Sequence, residues 1–187
     1  MRLRGDEELA EAEAGLVGTG TGGGFSSGPG ADVAQTVDKE GPMYKRILIP
    51  TDGSELSVAA IKQAVALAKA VKAKVTGMTV SAPFRTFALD PLLVSDTAEE
   101  YQKDIDDRAE RYLGVVTDAA SFAGVPCETL HVMAEHPYEG IIKTARGKSC
   151  DLIFMASHGR RGISALLLGS ETVKVLTHSR IPVLVSR

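Results

Sequence analysis

Five short apolar runs, spaced by segments of helix length, leave this chain few folds to adopt. The runs fall at residues 47–50, 74–80, 127–133, 151–156 and 182–186. A strand with one wet face alternates polar and apolar residues, whereas a strand covered on both faces is apolar nearly throughout. These runs are of the second kind. Between them, residues 57–71 carry Ala60, Ile61, Ala64, Val65, Leu67, Ala68 and Val71 on one broad face. Residues 96–123 repeat Tyr101, Ile105, Ala109, Tyr112, Val116 and Ala120 at intervals of three or four, and Gly124 ends the pattern. Pro137 suits the first turn of a helix over 137–147, and 170–178 is the last helix. Residues 81–94, with two prolines, have no clean period and read as a long loop. The order β-α-β-α-β-α-β-α-β predicts an α/β fold of three layers, α/β/α, around a five-stranded parallel sheet. Ligands of such sheets sit beyond the carboxyl ends of the strands, where the strand order reverses.

The first 42 residues have a different texture. They hold 10 of the 19 glycines, three basic and eight acidic side chains, and only scattered apolar ones. Such a segment buries too little surface to offset the entropy of ordering it, so 1–42 is expected to be a disordered Gly-rich, acidic extension and 43–187 the folded domain. One reading makes Met43 the native start. The remaining 145 residues suffice for one domain with a full core. Their net charge of +2, from 18 basic and 16 acidic side chains, gives no sign of a nucleic-acid-binding surface. No run approaches the roughly 18 apolar residues of a membrane span, and a cytoplasmic location is expected. Cys127 and Cys150 lack CxxC spacing and read as free thiols in a reducing compartment.

Two strand ends carry the residues with chemical potential. After the first comes Pro50-Thr51-Asp52-Gly53-Ser54; after the fourth comes Ala156-Ser157-His158-Gly159-Arg160-Arg161-Gly162, leading to Gly169-Ser170 before the last helix. Glycine lets backbone N–H groups approach an anion, and a helix N-terminus adds unpaired donors and a favourable dipole, so Gly169 and Ser170 read as a phosphate seat. Asp52 can accept from a ribose hydroxyl; alternatively, Asp52 and Ser54 organise the turn and cap the first helix. Ser157 and His158 are neighbours on a strand end, where successive side chains diverge, so a nucleophile and base pair is not expected. Arg160 and Arg161 are either phosphate contacts or a solvated pair. His131, His136 and His178 lack metal-ligand spacing, and His136 reads as a helix cap or connector.

The segment from Met43 to Ser54, paired with Ser157-His158-Gly159, nine further residues, Gly169-Ser170 and then Ile181-Pro182-Val183-Leu184-Val185, resembles the universal stress protein family across 43–187. The nucleotide-binding signature of that family is Gly, two residues, Gly, nine residues, Gly, then Ser or Thr. Here Ala156 stands at the first glycine, while Gly159, Gly169 and Ser170 match. The resemblance implies strand order 3-2-1-4-5, as in the adenine nucleotide alpha hydrolase-like fold. It also implies that Pro50, Thr51, Asp52 and Val80 border adenine and ribose. Met155, Ala156, His158, Gly159, Gly169, Ser170, Glu171 and Thr172 would surround ribose and phosphates.

The expectation that follows is an ATP- or AMP-binding regulatory protein of the stress response, with Mg2+ held through the phosphates and no strong catalysis. It would form a homodimer through the edge strand near Ile181 to Ser186. A slow ATPase or nucleotide hydrolase, and an interaction scaffold without nucleotide, are the two alternatives.

Overall fold

The computed structural model describes residues 43–84, 98–159 and 168–187. The expectations for 1–42, for most of the 81–94 loop, and for Arg160 and Arg161 lie outside the described residues. The described elements are β1 (Arg46–Pro50), α1 (Glu55–Val71), β2 (Lys74–Ser81), α2 (Ala98–Ala123), β3 (Cys127–Met133), α3 (Pro137–Gly147), β4 (Leu152–Ala156), α4 (Ser170–His178) and β5 (Val183–Ser186). The sheet runs β3-β2-β1-β4-β5 and every pairing is parallel, which is the expected order.

Strand alternation divides the core in two. Ile47, Ile49 and Val75 face Ile61 and Val65 of α1 and Val116 and Ala120 of α2. Leu48, Met78, Ile153 and Met155 face Ile141 and Ala145 of α3 and Val175 of α4. The central strand is fully enclosed, with Ile47, Leu48 and Ile49 all at 0% exposure. Gly77 brings α2 close to the sheet, because a Cβ there would lie 2.9 Å from Val116 Cγ1.

Several boundaries differ from the sequence reading for local reasons. Helix α1 begins two residues before 57 because Ser54 caps it, its Oγ accepting from the Ser57 N–H at 3.2 Å. Asp151 stands ahead of β4 instead of within it. Its carboxylate accepts from the N–H groups of Lys45 (2.7 Å) and Arg46 (3.0 Å), fastening the start of β1 to β4. His136 occupies the N-cap position of α3 but makes no side-chain cap; Glu171 does so from α4, accepting from the Tyr138 N–H at 2.9 Å. Of the two readings of His136, cap or connector, the side-chain cap is absent and the connector stands, its ring stacking with Tyr138.

At the opposite end of the sheet from the strand termini, Glu128 of β3 joins three neighbours. It accepts from Arg46 at 2.6 Å, Thr76 at 3.1 Å and Lys148 at 3.1 Å. The Lys148 hydrogen bond first, then Thr76 and the Arg46 charge, hold the Glu128 carboxyl below the usual range against the opposing effect of burial. A carboxyl depressed in the folded state stabilises fully above its unfolded pKa, about 4.3, and loses that contribution as pH falls toward the folded value. Glu128→Gln is therefore expected to flatten the acid limb of stability below about pH 5, as read by urea titrations at stepped pH. Gly77→Ala and Val116→Ala should each cost about 1–3 kcal/mol by overpacking and cavity formation respectively. Their double variant should cost less than the sum, because the deleted methyls make room for the added one.

Candidate functional site

The reversal of strand order at β1 opens a crevice. Thr51 donates its N–H to Met78 O at 2.8 Å in the last rung between β1 and β2, after which the chain turns away into α1. β2 continues to Ser81. In a parallel strand, alternate residues direct both backbone polar groups to the same neighbour. Lys74 donates to Lys45 O beside β1, whereas Val75 donates to Pro126 O beside β3. By that alternation the N–H and C=O of Val80 face the β1 side, beyond the point where β1 ends.

Beside this edge lies the turn of residues 51–54, held by its own side chains. Thr51 Oγ1 meets Ser57 Oγ at 3.0 Å and accepts from the Gly53 N–H at 3.2 Å. Asp52 Oδ1 accepts from the Ser54 N–H at 3.1 Å and the Ser54 hydroxyl at 2.7 Å, so the turn-organising role of Asp52 and Ser54 is real. It occupies one carboxylate oxygen. The other, Oδ2, lies against Gly159, in the place a Cβ of that residue would take. Gly53 has φ +75°, and the Tyr112 ring lies where its Cβ would be. Asp52, Val80, Thr79, Ser81, Ala82, Tyr101, Arg108 and Tyr112 are among the residues lining a cavity of about 200 Å³.

On the other side of Asp52 is the end of β4. Ser157 and His158 were expected to diverge, but the chain bends after Ala156 instead of remaining extended. Their side chains meet, Ser157 Oγ lying 3.0 Å from His158 Nδ1. His158 is buried, and among the described residues its Nε2 has no hydrogen-bond partner. Gly169 donates its N–H to Ser157 O at 2.8 Å and Thr172 its hydroxyl to Ala156 O at 3.1 Å, so both serve to dock α4 on β4. The first turn of α4, at Ser170, Glu171 and Thr172, then supplies the N–H groups that a helix leaves without an internal partner. Glu171 turns its carboxylate away, toward the Tyr138 N–H and Lys174 Nζ at 2.8 Å. Ala156 is an ordinary strand residue: Lys72 and Ser149 are the non-glycine residues with positive φ among those described. Its methyl thus adds no backbone strain.

Asp52 and Val80 come together in the cavity, Gly159 adjoins Asp52, and Gly169 to Thr172 form the neighbouring helix start. Pro50 ends β1, and Met155 is the last residue but one of β4. The sequence reading placed Tyr101 and Tyr112 in the helix core stripe and passed over Arg108. All three are half-buried cavity wall. The available signal was that Tyr101, Ile105, Arg108 and Tyr112 share one helical face, with polar tips on an otherwise apolar stripe.

Residues 43–187 match the Universal stress protein family. Universal stress protein MJ0531 of Methanocaldococcus jannaschii is 32% identical over 151 residues, covering 76% of this chain and 82% of that protein. YxiE of Bacillus subtilis is 30% identical over 149 residues, covering 78% and 100%. Among solved structures, protein MJ0577 superposes with a TM-score of 0.62 at 28% identity, covering 76% of this chain and 95% of that one. Two others share the fold: a universal stress protein in complex with cAMP (24% identity, TM-score 0.54, covering 77% and 97%) and one from Archaeoglobus fulgidus in complex with dAMP (18%, 0.54, covering 77% and 98%).

Because Ser54 both caps α1 and braces Asp52, Ser54→Ala is expected to cost about 1 kcal/mol, read by chemical denaturation with an unchanged m-value.

Proposed function

The chain belongs to the universal stress protein family, and from that premise we propose that it binds an adenine nucleotide, AMP or ATP, as a regulatory protein of the cytosol. The observation that carries the reading is the backbone edge at Val80, one strand end away from a carboxylate and a helix N-terminus. An N–H beside a C=O, both directed to the β1 side past the end of β1, complements the N1 acceptor and N6 donor of adenine. Asp52 Oδ2 stands next, as an acceptor for ribose hydroxyls. The first turn of α4 follows, its N–H groups and dipole suited to phosphate. Gly159 keeps the path between these stations free of a side chain.

The adenine nucleotides held by two proteins of the same fold agree with this choice of ligand. Mg2+ would arrive on the phosphates and keep most of its waters, since the described residues contain no group of three or more His, Cys, Asp or Glu side chains placed to hold a metal. β5 lies at the sheet edge, with Leu184 exposed and Val183 and Val185 partly so. A short apolar edge of this kind suits pairing with its copy about a two-fold axis, and a homodimer is part of the proposal.

One observation favours slow hydrolysis as a second reading. The Ser157–His158 hydrogen bond, together with an Nε2 that has no partner among the described residues, supplies a proton acceptor or donor near the proposed phosphate path.

Mass spectrometry of small molecules released from denatured protein is expected to find an adenine nucleotide. Asp52→Ala should weaken calorimetric binding of AMP by about tenfold or more, through loss of a charge-assisted hydrogen bond. No released nucleotide and no thermal shift with ATP and Mg2+ would replace this reading with an interaction scaffold. Steady phosphate release that disappears in His158→Ala would replace it with a hydrolase.

A further inference from the structure

Three side chains near the carboxyl end of β2 form a chain of contacts that the proposed nucleotide site does not use. Ser81 is the last residue of β2, and its Oγ lies 2.9 Å from His131 Nε2 on β3. The other nitrogen of that ring, Nδ1, lies 3.3 Å from Asp106 Oδ1 on α2. Strand periodicity brings the first two together. Thr79 and His131 are register partners, so Ser81, two residues past Thr79, shares a sheet face with His131. It is the face that α2 covers, where Val75 and Gly77 pack beneath Val116. A carboxylate only accepts, so the Asp106 contact calls for the proton on Nδ1 and leaves Nε2 of a neutral ring to accept from the Ser81 hydroxyl. Both oxygens of Asp106 also accept from Gln102 Nε2, each at 3.0 Å, one turn earlier on α2. Serine, imidazole and carboxylate joined in this order through the two ring nitrogens form the relay that makes a hydroxyl nucleophilic. The Ser157–His158 contact lacks that order, since Ser157 meets Nδ1 and no described group stands behind Nε2.

Ser81 lines the cavity of about 200 Å³ together with Tyr101 and Arg108. Burial raises the pKa of the Tyr101 phenol and the Arg108 charge partly offsets that rise, while the phenol donates to Ala82 O at 2.9 Å, one residue past Ser81. A guanidinium is thereby held beside the segment that carries the hydroxyl, where it suits an oxyanion. We propose that Ser81, His131 and Asp106 form a hydrolytic site for small carboxylic esters. In acylation, Ser81 Oγ bonds to the ester carbonyl carbon as its proton passes to His131 Nε2; the carbon–alkoxy bond then breaks and the alcohol leaves with that proton. In deacylation, water attacks the same carbon, His131 takes its proton, and the bond to Oγ breaks as that proton returns to Ser81. Ester and water become acid and alcohol, with no further reactant. Asp106 is a positioning residue that fixes the ring tautomer. The cavity is smaller than the roughly 300–1,000 Å³ of sites for drug-sized ligands, which restricts the acyl group to a few carbons. Val80 and Asp52 border it too, so an ester and a nucleoside exclude one another there, and neither activity requires the other.

The full chain treated with a fluorophosphonate, which phosphonylates activated serines, is expected to carry the adduct on Ser81, as located by peptide mass spectrometry. That result needs no variant. An unlabelled Ser81, or label on Ser157 in its place, overturns the site. With p-nitrophenyl acetate, His131→Gln and Asp106→Asn should each lower kcat about a hundredfold or more and leave KM within about twofold, with circular dichroism unchanged. A kcat within about twofold of the unsubstituted chain in both variants overturns the relay and leaves the three side chains as a fastening of α2 to the sheet. Saturating AMP is expected to slow the labelling of Ser81. Labelling at an unchanged rate would keep the hydrolytic site and remove the nucleoside from this cavity.

Discussion

Everything at the carboxyl end of the sheet depends on β1 ending before its neighbours. β1 is the central strand, paired to β2 on one side and β4 on the other. Its last backbone bond is made at Thr51, where the chain turns into α1. The two strands beside it stay paired to β3 and β5 on their outer sides but run on past β1 on their inner sides. A sheet interior normally leaves no backbone group unpaired, so such a gap requires water or a ligand to complete it. The Val80 edge, the Asp52 turn and the docking of α4 on β4 all follow from that one termination.

The fold was legible because a buried parallel strand has a distinctive composition, and the helices between such strands show their packed face in their spacing. The site was legible only in part. Asp52, Gly159 and Gly169 are small or charged residues at strand ends, where polar chemistry is expected. Arg108, Tyr101 and Tyr112 lie more than 40 positions from Asp52 in the chain and reach it only because α2 packs over the end of β2. Spacing along one helix shows which residues share a face; it does not show what that face meets. The Ser157–His158 contact was misread for a related reason: the rule of alternating directions holds within a strand and lapses at the bend where the strand stops.

In the proposed nucleotide site, Asp52 and α4 would divide structural and ligand duties among atoms of the same residue. One oxygen of Asp52 is committed to Ser54, which fixes the rotamer of the other. Gly169 and Thr172 spend their hydrogen bonds on β4, which aims the next N–H groups outward. Glu171 neutralises Lys174 and caps α3, so its charge is held away from the turn that precedes it. Donors and acceptors oriented before a ligand arrives lose little entropy when it binds.

The position of one cavity wall depends on an atom the chain lacks. Residue 53 does not line it, yet Tyr112 can lie against the β1 turn only because that residue has no Cβ. Any side chain there would displace the ring and shift the wall. A relative could therefore reshape the space beside Asp52 by one exchange at a position outside the cavity lining, with the identity of every lining residue unchanged.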